Sequence, residues 1–501
     1  MLTRFSGSIL TLAVLGILCA ALDVVRADTS LEGERIGLTK TIALAIKQSP
    51  DLANAKIDIE IAEAGVTEST GAQNWVVTAG LNYQRRRDSA VAGNVTGTNR
   101  LDRYSYRGGL SKLLPTGGVL DITTTGERQD AVFALVGSES VQYQSQVTIG
   151  VTQPLLAGRG KQVAYAAETL ASLEKKAAAL TSRVSAREAL RVVIQAYWDL
   201  SLAIREWEIG KSALALAKEQ LRVTRAGVKL GRIAATEATA VQQIIATREE
   251  EAIVARLRVS RRSLALRRLI GLPIGEGAVD LKTKATLNVK ARPLKIDALL
   301  QNALATSPEL ARLATRSKGS TIELEVNENG TLPRLDLTVR GGPLGTGSNP
   351  DTSFENLSRF RGYTFVAGLS LEHAIGQSGS AGGAARAQAT LRRVKVTEQD
   401  VKNQISVAVV ESALAAKAGE ERMNLAKRAI KLAEENIVAE QKRFELGRAT
   451  NFDVLSRQDE LRQAQLRLAR GAVDTLNARA RLDSLTDEIF DRYGVNWSAG
   501  Q

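Results

Sequence analysis

Several short segments of the chain alternate strictly between apolar and polar residues. In VQYQSQVTIGVTQ (141–153), valine, tyrosine and isoleucine occupy one face, while glutamine and threonine occupy the other. WVVTAGLNYQR, LDLTVR and GYTFVAGLSL repeat the pattern, which predicts β-strands within 75–153 and 333–372. Strands of about ten residues with one apolar and one polar face suit a membrane barrel. They also suit a soluble sheet that buries one face, and the strand pattern by itself favours that second interpretation.

Very long helices are predicted after each group of strands. Residues 157–228 and 378–445 contain no proline and are rich in Ala, Leu, Glu, Lys and Arg, which all favour helix. Each run of about 70 residues would be roughly 105 Å long, far longer than a globular helix. Shorter helices are predicted at 41–70, 233–270, 294–330 and 449–487. Two of these add up to the length of one long helix, so we expect two short helices end to end beside each long one.

The predicted elements occur twice in the same order. IALAIKQSPDL (42–52) is similar to LQNALATSPEL (300–310), VTIGVTQ is similar to FVAGLSL, and Leu-Gly-Arg follows the long helix in both halves. The separations are 258 positions for the prolines, 218 for the strand glycines and 216 for the leucines. Nearly all of the length difference therefore lies between Pro50 and Gly150. We predict an additional hairpin there, at SKLLPTGGVLDITTTGE (111–127).

This repeat defines the predicted organisation of the chain. A signal peptide is expected at 1–27, because Arg4 precedes an apolar core that ends near a small-x-small cleavage site. The predicted organisation then continues with a first repeat at 28–270, a linker or equatorial segment at 271–293, a second repeat at 294–490 and a C-terminal tail at 491–501.

Composition limits the chemistry that the chain can perform. The single cysteine, Cys19, lies inside the expected signal peptide, and His373 is the only histidine. Disulfides, thiolate metal sites and a set of nucleophile, base and acid are therefore not predicted, and neither is an enzyme or a cofactor. The net charge of +13 would suggest nucleic acid in a cytosolic protein, but an exported chain meets lipid phosphates instead.

Three quoted segments carry a resemblance to a known family. VTQPLL, LAGRGKQVAYAAETLASLEKKAA and LGRATNFDVLSRQDELRQAQLRLARGAVDTLNARARLDSLTD occur in this order, together with the SPDL and SPEL openings. The ordered set resembles the TolC-type outer-membrane efflux proteins over about residues 38–487. The resemblance implies an α+β membrane protein: a homotrimer with a shared 12-stranded β-barrel, continued by a long periplasmic α-helical barrel. It further implies a periplasmic adaptor and an inner-membrane pump as partners.

The chain departs from the family pattern in two places. The additional hairpin puts the count of twelve strands in doubt, since it either enlarges the barrel or projects from it. The family often has a second acid three residues after the Asp of its FDVL-like segment, whereas Ser456 follows Asp453 here. A gate made of paired acidic rings would be weaker for that reason.

Six residues near the two Leu-Gly-Arg breaks are the candidate functional residues. Asp453 and Glu237 lie six positions after Gly447 and Gly231, and three copies of either would form an acidic ring at a periplasmic gate. The alternative for each is an ordinary acid in the first turn of a helix, stabilised by the helix dipole. For Glu237, the sequence alone favours this alternative. Gly231, Arg232, Gly447 and Arg448 are predicted to form the helix-turn tips, where the arginines would dock an adaptor or remain solvated. Thr450 or Asn451 would cap the helix that restarts after the second tip.

These inferences converge on a function without chemistry of its own. The predicted protein is the outer-membrane exit duct of a tripartite efflux or type I secretion system, which conducts passively through a gated periplasmic entrance. The alternative is a secreted periplasmic coiled-coil adaptor or scaffold without a pore.

Overall fold

A computed structural model describes residues 34–87, 98–133, 139–275, 279–284, 287, 289–290, 292–376, 378–495 and 497. The predicted signal peptide lies outside the described residues. Helices of the first repeat are α1 (Leu38–Gln48), α2 (Pro50–Thr70), α3 (Lys161–Ala164), α4 (Ala166–Lys229) and α5 (Ala235–Leu269). Those after it are α6 (Ile296–Thr306), α7 (Pro308–Asn329), α8 (Pro350–Ser358), α9 (Ser378–Glu445), α10 (Asn451–Leu485) and α11 (Ile489–Arg492).

Each repeat is built around one long helix, α4 in the first and α9 in the second. Helices α2 and α5 contact α4, while α6, α7 and α10 contact α9, and α4 also contacts α7 and α10. This is the predicted arrangement of short helices along long ones. Helix does not begin at residue 157 as predicted: Gly158 and Gly160 have φ values of 85° and 98°, the short helix α3 begins only at Lys161, and the long helix α4 follows from Ala166. A right-handed helix requires negative φ, so those glycines delay its start.

Each repeat opens with a helix that breaks at a Ser-Pro pair. Helices α1 and α2 are separated by Ser49, helices α6 and α7 by Ser307, and Pro50 and Pro308 are the first residues of the second helix in each pair. Proline lacks the N–H that would continue the preceding helix, but its fixed φ suits a first turn. The sequence predicted one helix in each of these places, so the break is a correction.

Six long strands form one antiparallel sheet. They are β2 (Val76–Arg87), β3 (Thr98–Leu113), β4 (Val119–Phe133), β5 (Glu139–Pro154), β7 (Arg334–Gly347) and β8 (Gly362–Glu372), paired in the order β2-β3-β4-β5-β7-β8. The additional hairpin of the first repeat is therefore β3 and β4, and it is longer than the predicted segment 111–127. It contributes two full strands to the sheet.

One face of this sheet has apolar residues on all six strands, although β4 contributes only Leu120 and Ile122 and also places Thr124, Gly126, Arg128 and Asp130 there. The paired registers place on it Val77, Leu81, Tyr83, Tyr104, Tyr106, Leu110, Ile122, Tyr143, Ile149, Val151, Val339, Tyr363, Phe365, Leu369 and Leu371. Leu81 is 90% exposed and Tyr363 is 80% exposed in the single chain. The opposite face is mostly polar, with Thr, Gln, Asn, Ser and Arg at alternate positions. Among the described helices, not one has the length and the apolar character needed to cross a membrane.

A second, two-stranded sheet lies where the two repeats meet. Strand β1 (Glu34–Ile36) pairs in parallel with β6 (Leu281–Thr283), within the segment predicted as linker or equatorial. Ile36, Leu281 and Tyr197 belong to one buried apolar cluster with parts of α4 and α5. The pair therefore anchors the start of the described chain and the linker to the long helix of the first repeat.

Candidate functional site

The first Leu-Gly-Arg break is a tight helix stop. Gly231 has φ 73°, and its N–H donates to the carbonyl of Val228 at 2.9 Å, while the N–H of Arg232 donates to the carbonyl of Gly227 at 2.9 Å. These two bonds are the Schellman pattern that satisfies the last carbonyls of a helix, here α4. The left-handed backbone that the pattern needs is the reason for glycine at this position.

The second break repeats that geometry at the end of α9. Gly447 has φ 69°, its N–H donates to Phe444 at 3.0 Å, and the N–H of Arg448 donates to Arg443 at 2.8 Å. Arg232 and Arg448 are both exposed beside their turns. Leu230 and Leu446 are exposed by 68% and 71%. Each tip thus presents a leucine and an arginine to the surroundings, a pairing that the sequence reasoning did not consider.

The helices restart differently after the two turns. Thr450 caps α10: its hydroxyl oxygen accepts from the Asp453 N–H at 3.3 Å, and the Asp453 carboxylate accepts from the Thr450 N–H at 2.8 Å. This is a complete capping box. The residue equivalent to Thr450 is Ala234, which has no side-chain oxygen, so α5 begins without a side-chain cap.

Asp453 is held by its own helix terminus. Its carboxylate also accepts the Thr450 hydroxyl proton at 2.8 Å. The backbone N–H of Thr450, followed by its hydroxyl, lowers the pKa of Asp453 below the ordinary value. These are the contacts of the structural alternative weighed for this residue, and a gate role for Asp453 remains a prediction.

Glu237 makes a contact between the repeats instead. The Asn451 side chain donates to the Glu237 carboxylate at 3.0 Å, and its own oxygen accepts from Gln220 at 2.9 Å and from Thr224 at 2.5 Å. Asn451 is 2% exposed and Thr224 is fully buried. We call these four residues the tip network. It joins α4 and α5 of the first repeat to α10 of the second.

An apolar cluster lies beside the tip network. Ala217, Val241 and Ile245 of the first repeat pack with Leu455 of the second. Because apolar packing excludes water from this region, each hydrogen bond of the adjacent network is costly to lose. The sequence identified Asn451 only as an alternative cap for α10. Its burial between the repeats was not predicted, because that depends on which helix lies opposite.

Within the described residues, no group of three or more His, Cys, Asp or Glu side chains could hold a metal ion. The residues at the tips instead form turns and contacts between helices. Two helical hairpins end in matching turns, and a buried hydrogen-bond network ties one hairpin to the other.

The fold is similar to that of solved outer-membrane proteins. The chain is similar to the Campylobacter jejuni CmeC outer membrane channel, with a TM-score of 0.68 and 13% identity over 90% of this chain and 86% of that one. It is also similar to the outer membrane protein VceC of Vibrio cholerae, with a TM-score of 0.64 and 15% identity over 92% of this chain and 97% of that one. The chain therefore has the fold of the outer-membrane channels.

Sequence comparison matches the second half of the chain to a family and most of the chain to a secretion protein. Residues 299–487 match the family described as outer membrane efflux protein, and the alkaline protease secretion protein AprF of Pseudomonas aeruginosa is 26% identical over 76% of this chain and 74% of its own length. These matches confirm the predicted resemblance to the TolC-type outer-membrane efflux proteins. The chain is an exit duct in the outer membrane, with its helical part in the periplasm. The matched family is described by efflux, and CmeC is described as a channel.

Proposed function

We propose that three copies of the chain form a passive duct with a gated periplasmic entrance. One observation carries the proposal: a six-stranded sheet with a largely apolar face is joined in one chain to helices of 64 and 68 residues. The helices would be roughly 100 Å long, enough to cross much of a periplasm. An exposed apolar face of this size is unfavourable in water and favourable against lipid.

A closed wall requires more than one copy. The edge strands β2 and β8 each have one neighbour in the sheet, and unpaired backbone groups at membrane depth each cost several kcal/mol. A homotrimer in which the three sheets close into a β-barrel removes all edges. The long helices of the three chains then continue this barrel as an α-helical barrel.

The entrance is proposed to lie at the two tips. The tip network holds the hairpins of the two repeats together, and separating them would widen the entrance. Glu237 and Asp453 would be repeated three times around the axis, and such acidic rings favour cations. Docking of a helical partner is assigned to the turns at Gly231 and Gly447.

The docking surface at each turn combines an apolar and a charged group. Leu230 and Leu446 supply the apolar contact, while Arg232 and Arg448 supply donors for carboxylates or backbone carbonyls of a periplasmic adaptor. An inner-membrane pump would act through this adaptor. The AprF relative is named for protease secretion, which supports type I secretion of a protein, and the matched family name supports efflux.

Planar-bilayer recording of the purified protein tests the duct directly. We expect detergent to be necessary for extraction from membranes, and we expect discrete conductance steps after reconstitution. The alternative, a periplasmic adaptor or scaffold without a pore, predicts extraction by salt alone and no conductance. For the gate, Asp453→Asn and Glu237→Gln should each lower cation preference, and an unchanged preference in either variant would reject that residue as part of an acidic ring.

A further inference from the structure

The additional hairpin lies inside the sheet, between strands that it separates. Strand β3 pairs with β2 from Val76↔Ser111 to Arg87↔Arg100, and β4 pairs with β5 from Val119↔Thr152 to Val132↔Glu139. Strands β2 and β5 therefore have no shared register. A hairpin that projected from the sheet would leave β2 and β5 as neighbours.

Strand β3 of the hairpin has the same two faces as β2 beside it. Tyr104 and Tyr106 of β3 are paired with Tyr83 and Leu81 of β2 on the apolar face. Ser105, between the two tyrosines, lies on the polar face opposite Asn82. A segment surrounded by water on both sides has no physical reason to keep one apolar face, whereas a segment of a membrane wall requires one.

A row of three tyrosines and one arginine crosses the hairpin. The rings of Tyr83 and Tyr104 are 4.8 Å apart, and the Arg128 guanidinium lies 5.8 Å from both Tyr104 and Tyr143. The row thus runs over β2, β3, β4 and β5. Rows of aromatic residues mark the border of the apolar band in outer-membrane barrels.

The apolar band has a matching second border. Trp75 precedes β2 at its periplasmic end, and Lys112 of β3 lies 5.3 Å from its ring. Eight residues separate Trp75 from Tyr83, or about 27 Å along the strand, and about 20 Å vertically at the usual tilt. Trp75 and Tyr83 therefore bound an apolar stretch of β2 whose height is comparable to that of an outer-membrane apolar band, and β3 contributes to both levels through Lys112 and Tyr104.

We propose that all six strands of each chain form part of the membrane wall, so that the trimer closes an 18-stranded barrel in place of the twelve strands of the family pattern. Each free edge of the sheet pairs with the sheet edge of a second copy of this chain. Strand β2 runs away from the helices and β8 runs back toward them, so β8 of one copy meets β2 of the next in antiparallel orientation. This proposal rests on the proposed trimeric duct.

The wider wall changes the pore and leaves the helices as they are. Barrel diameter grows roughly in proportion to strand number, so eighteen strands give a membrane pore about 1.5 times as wide as twelve. The hairpin adds no helix to the periplasmic part. The duct is thus wider in the membrane than its family pattern implies, which suits bulky cargo such as a polypeptide.

Cysteine labelling in intact outer membranes tests the position of the hairpin. Ser105→Cys should react with a membrane-impermeant maleimide that enters through the lumen, and Tyr106→Cys should react only with a lipid-soluble maleimide. Asn82→Cys and Leu81→Cys on β2 are the matched control and should show the same split. If the control pair splits and both hairpin cysteines react with the impermeant reagent, the 18-stranded wall is wrong while the duct stands. Loss of the split at β2 as well overturns both proposals.

Cross-linking tests the closing contact and the number of copies. Thr78→Cys on β2 is combined with Val366→Cys, Gly368→Cys or Ser370→Cys on β8, all on the polar face. We expect at least one combination to give covalent dimers and trimers and nothing larger under oxidation, while each single variant gives monomers. Oxidised ladders beyond three copies, or an intramolecular link in all three combinations, would overturn the closure.

Discussion

The two tips of the molecule share a backbone and differ in what holds the restarting helix. Both turns have a glycine with φ near 70° and the same pair of closing hydrogen bonds. After the turn of the second repeat, Asp453 completes a capping box with Thr450. After the turn of the first repeat, Ala234 offers no cap, and Glu237 is bonded to Asn451 of the other repeat. The comparison teaches that equivalent acids serve local stability in one repeat and contact between repeats in the other.

Removing the contact between repeats should have the largest effect. Asn451→Leu leaves Gln220, Thr224 and Glu237 without their shared partner, and leaving a buried polar group unsatisfied costs about 1–3 kcal/mol. We expect a lower free energy of unfolding and a higher resting conductance in bilayers. Asn403→Leu, at an exposed position of α9, is the matched control and should change neither. A normal resting conductance in the Asn451 variant would show that the tip network does not hold the entrance closed.

The shared turn geometry predicts equal effects at the two glycines. A Cβ at Gly231 or Gly447 would meet no atom within 4 Å, so Gly231→Ala and Gly447→Ala should cost only the left-handed backbone, about 1–2 kcal/mol each. Asparagine tolerates this backbone better, and Gly231→Asn and Gly447→Asn should therefore cost less than the alanines. Thermal unfolding measures the four variants, and an Asn variant less stable than its Ala counterpart would contradict the assigned φ.

The unequal caps can be exchanged. Thr450→Ala removes the cap of α10 and should cost about 1 kcal/mol. Ala234→Thr offers α5 the same Thr-x-x-acid pattern, with Glu237 as its fourth residue. We expect Ala234→Thr to draw Glu237 away from Asn451, raising resting conductance without lowering the melting temperature. A more stable protein with unaltered conductance would mean that Glu237 keeps its bond to Asn451.

The smallest expected effect is a pH dependence confined to Asp453. Its pKa is lowered in the folded protein from the ordinary 3.8, so the stabilisation by its carboxylate is complete above that value and is lost as the pH falls through the lowered pKa. The melting temperature of the wild type should therefore exceed that of Asp453→Asn near neutral pH, and the two should converge in acid. In a Thr450→Ala background the difference should nearly vanish, and a difference that persists there would assign the shift to other neighbours.

Periodic patterns predicted the large elements of this fold well. Alternation in 141–153 shows which side chains share a face of a strand, and the absence of proline in 378–445 permits an unbroken helix. Both are local properties that can be read from a single segment. Helix α9 spans Ser378–Glu445 as predicted. The predicted Leu-Gly-Arg stops also agree with the structure, since a glycine with positive φ is a local requirement.

Features that depend on distant partners were missed. Strands β1 and β6 have three residues each, too few for a period to register. Asn451 looked like a cap, and only the approach of α4 made it a buried hydrogen-bond centre. The inserted hairpin was found from a difference in length, but its place in the middle of the sheet follows from pairing registers that no single segment contains.

The pairing of β1 with β6 has a consequence for how the chain is assembled. Ile36 and Thr283 are register partners although about 250 residues separate them, and such distant contacts form late because a long loop must first be closed. A chain exported from its N-terminus delivers β1 well before β6. Strand β1 must then wait for its pairing partner in the periplasm, with the backbone groups of its β6 edge unpaired during that interval. Shielding of this short strand by a holding chaperone would protect the growing subunit from aggregation.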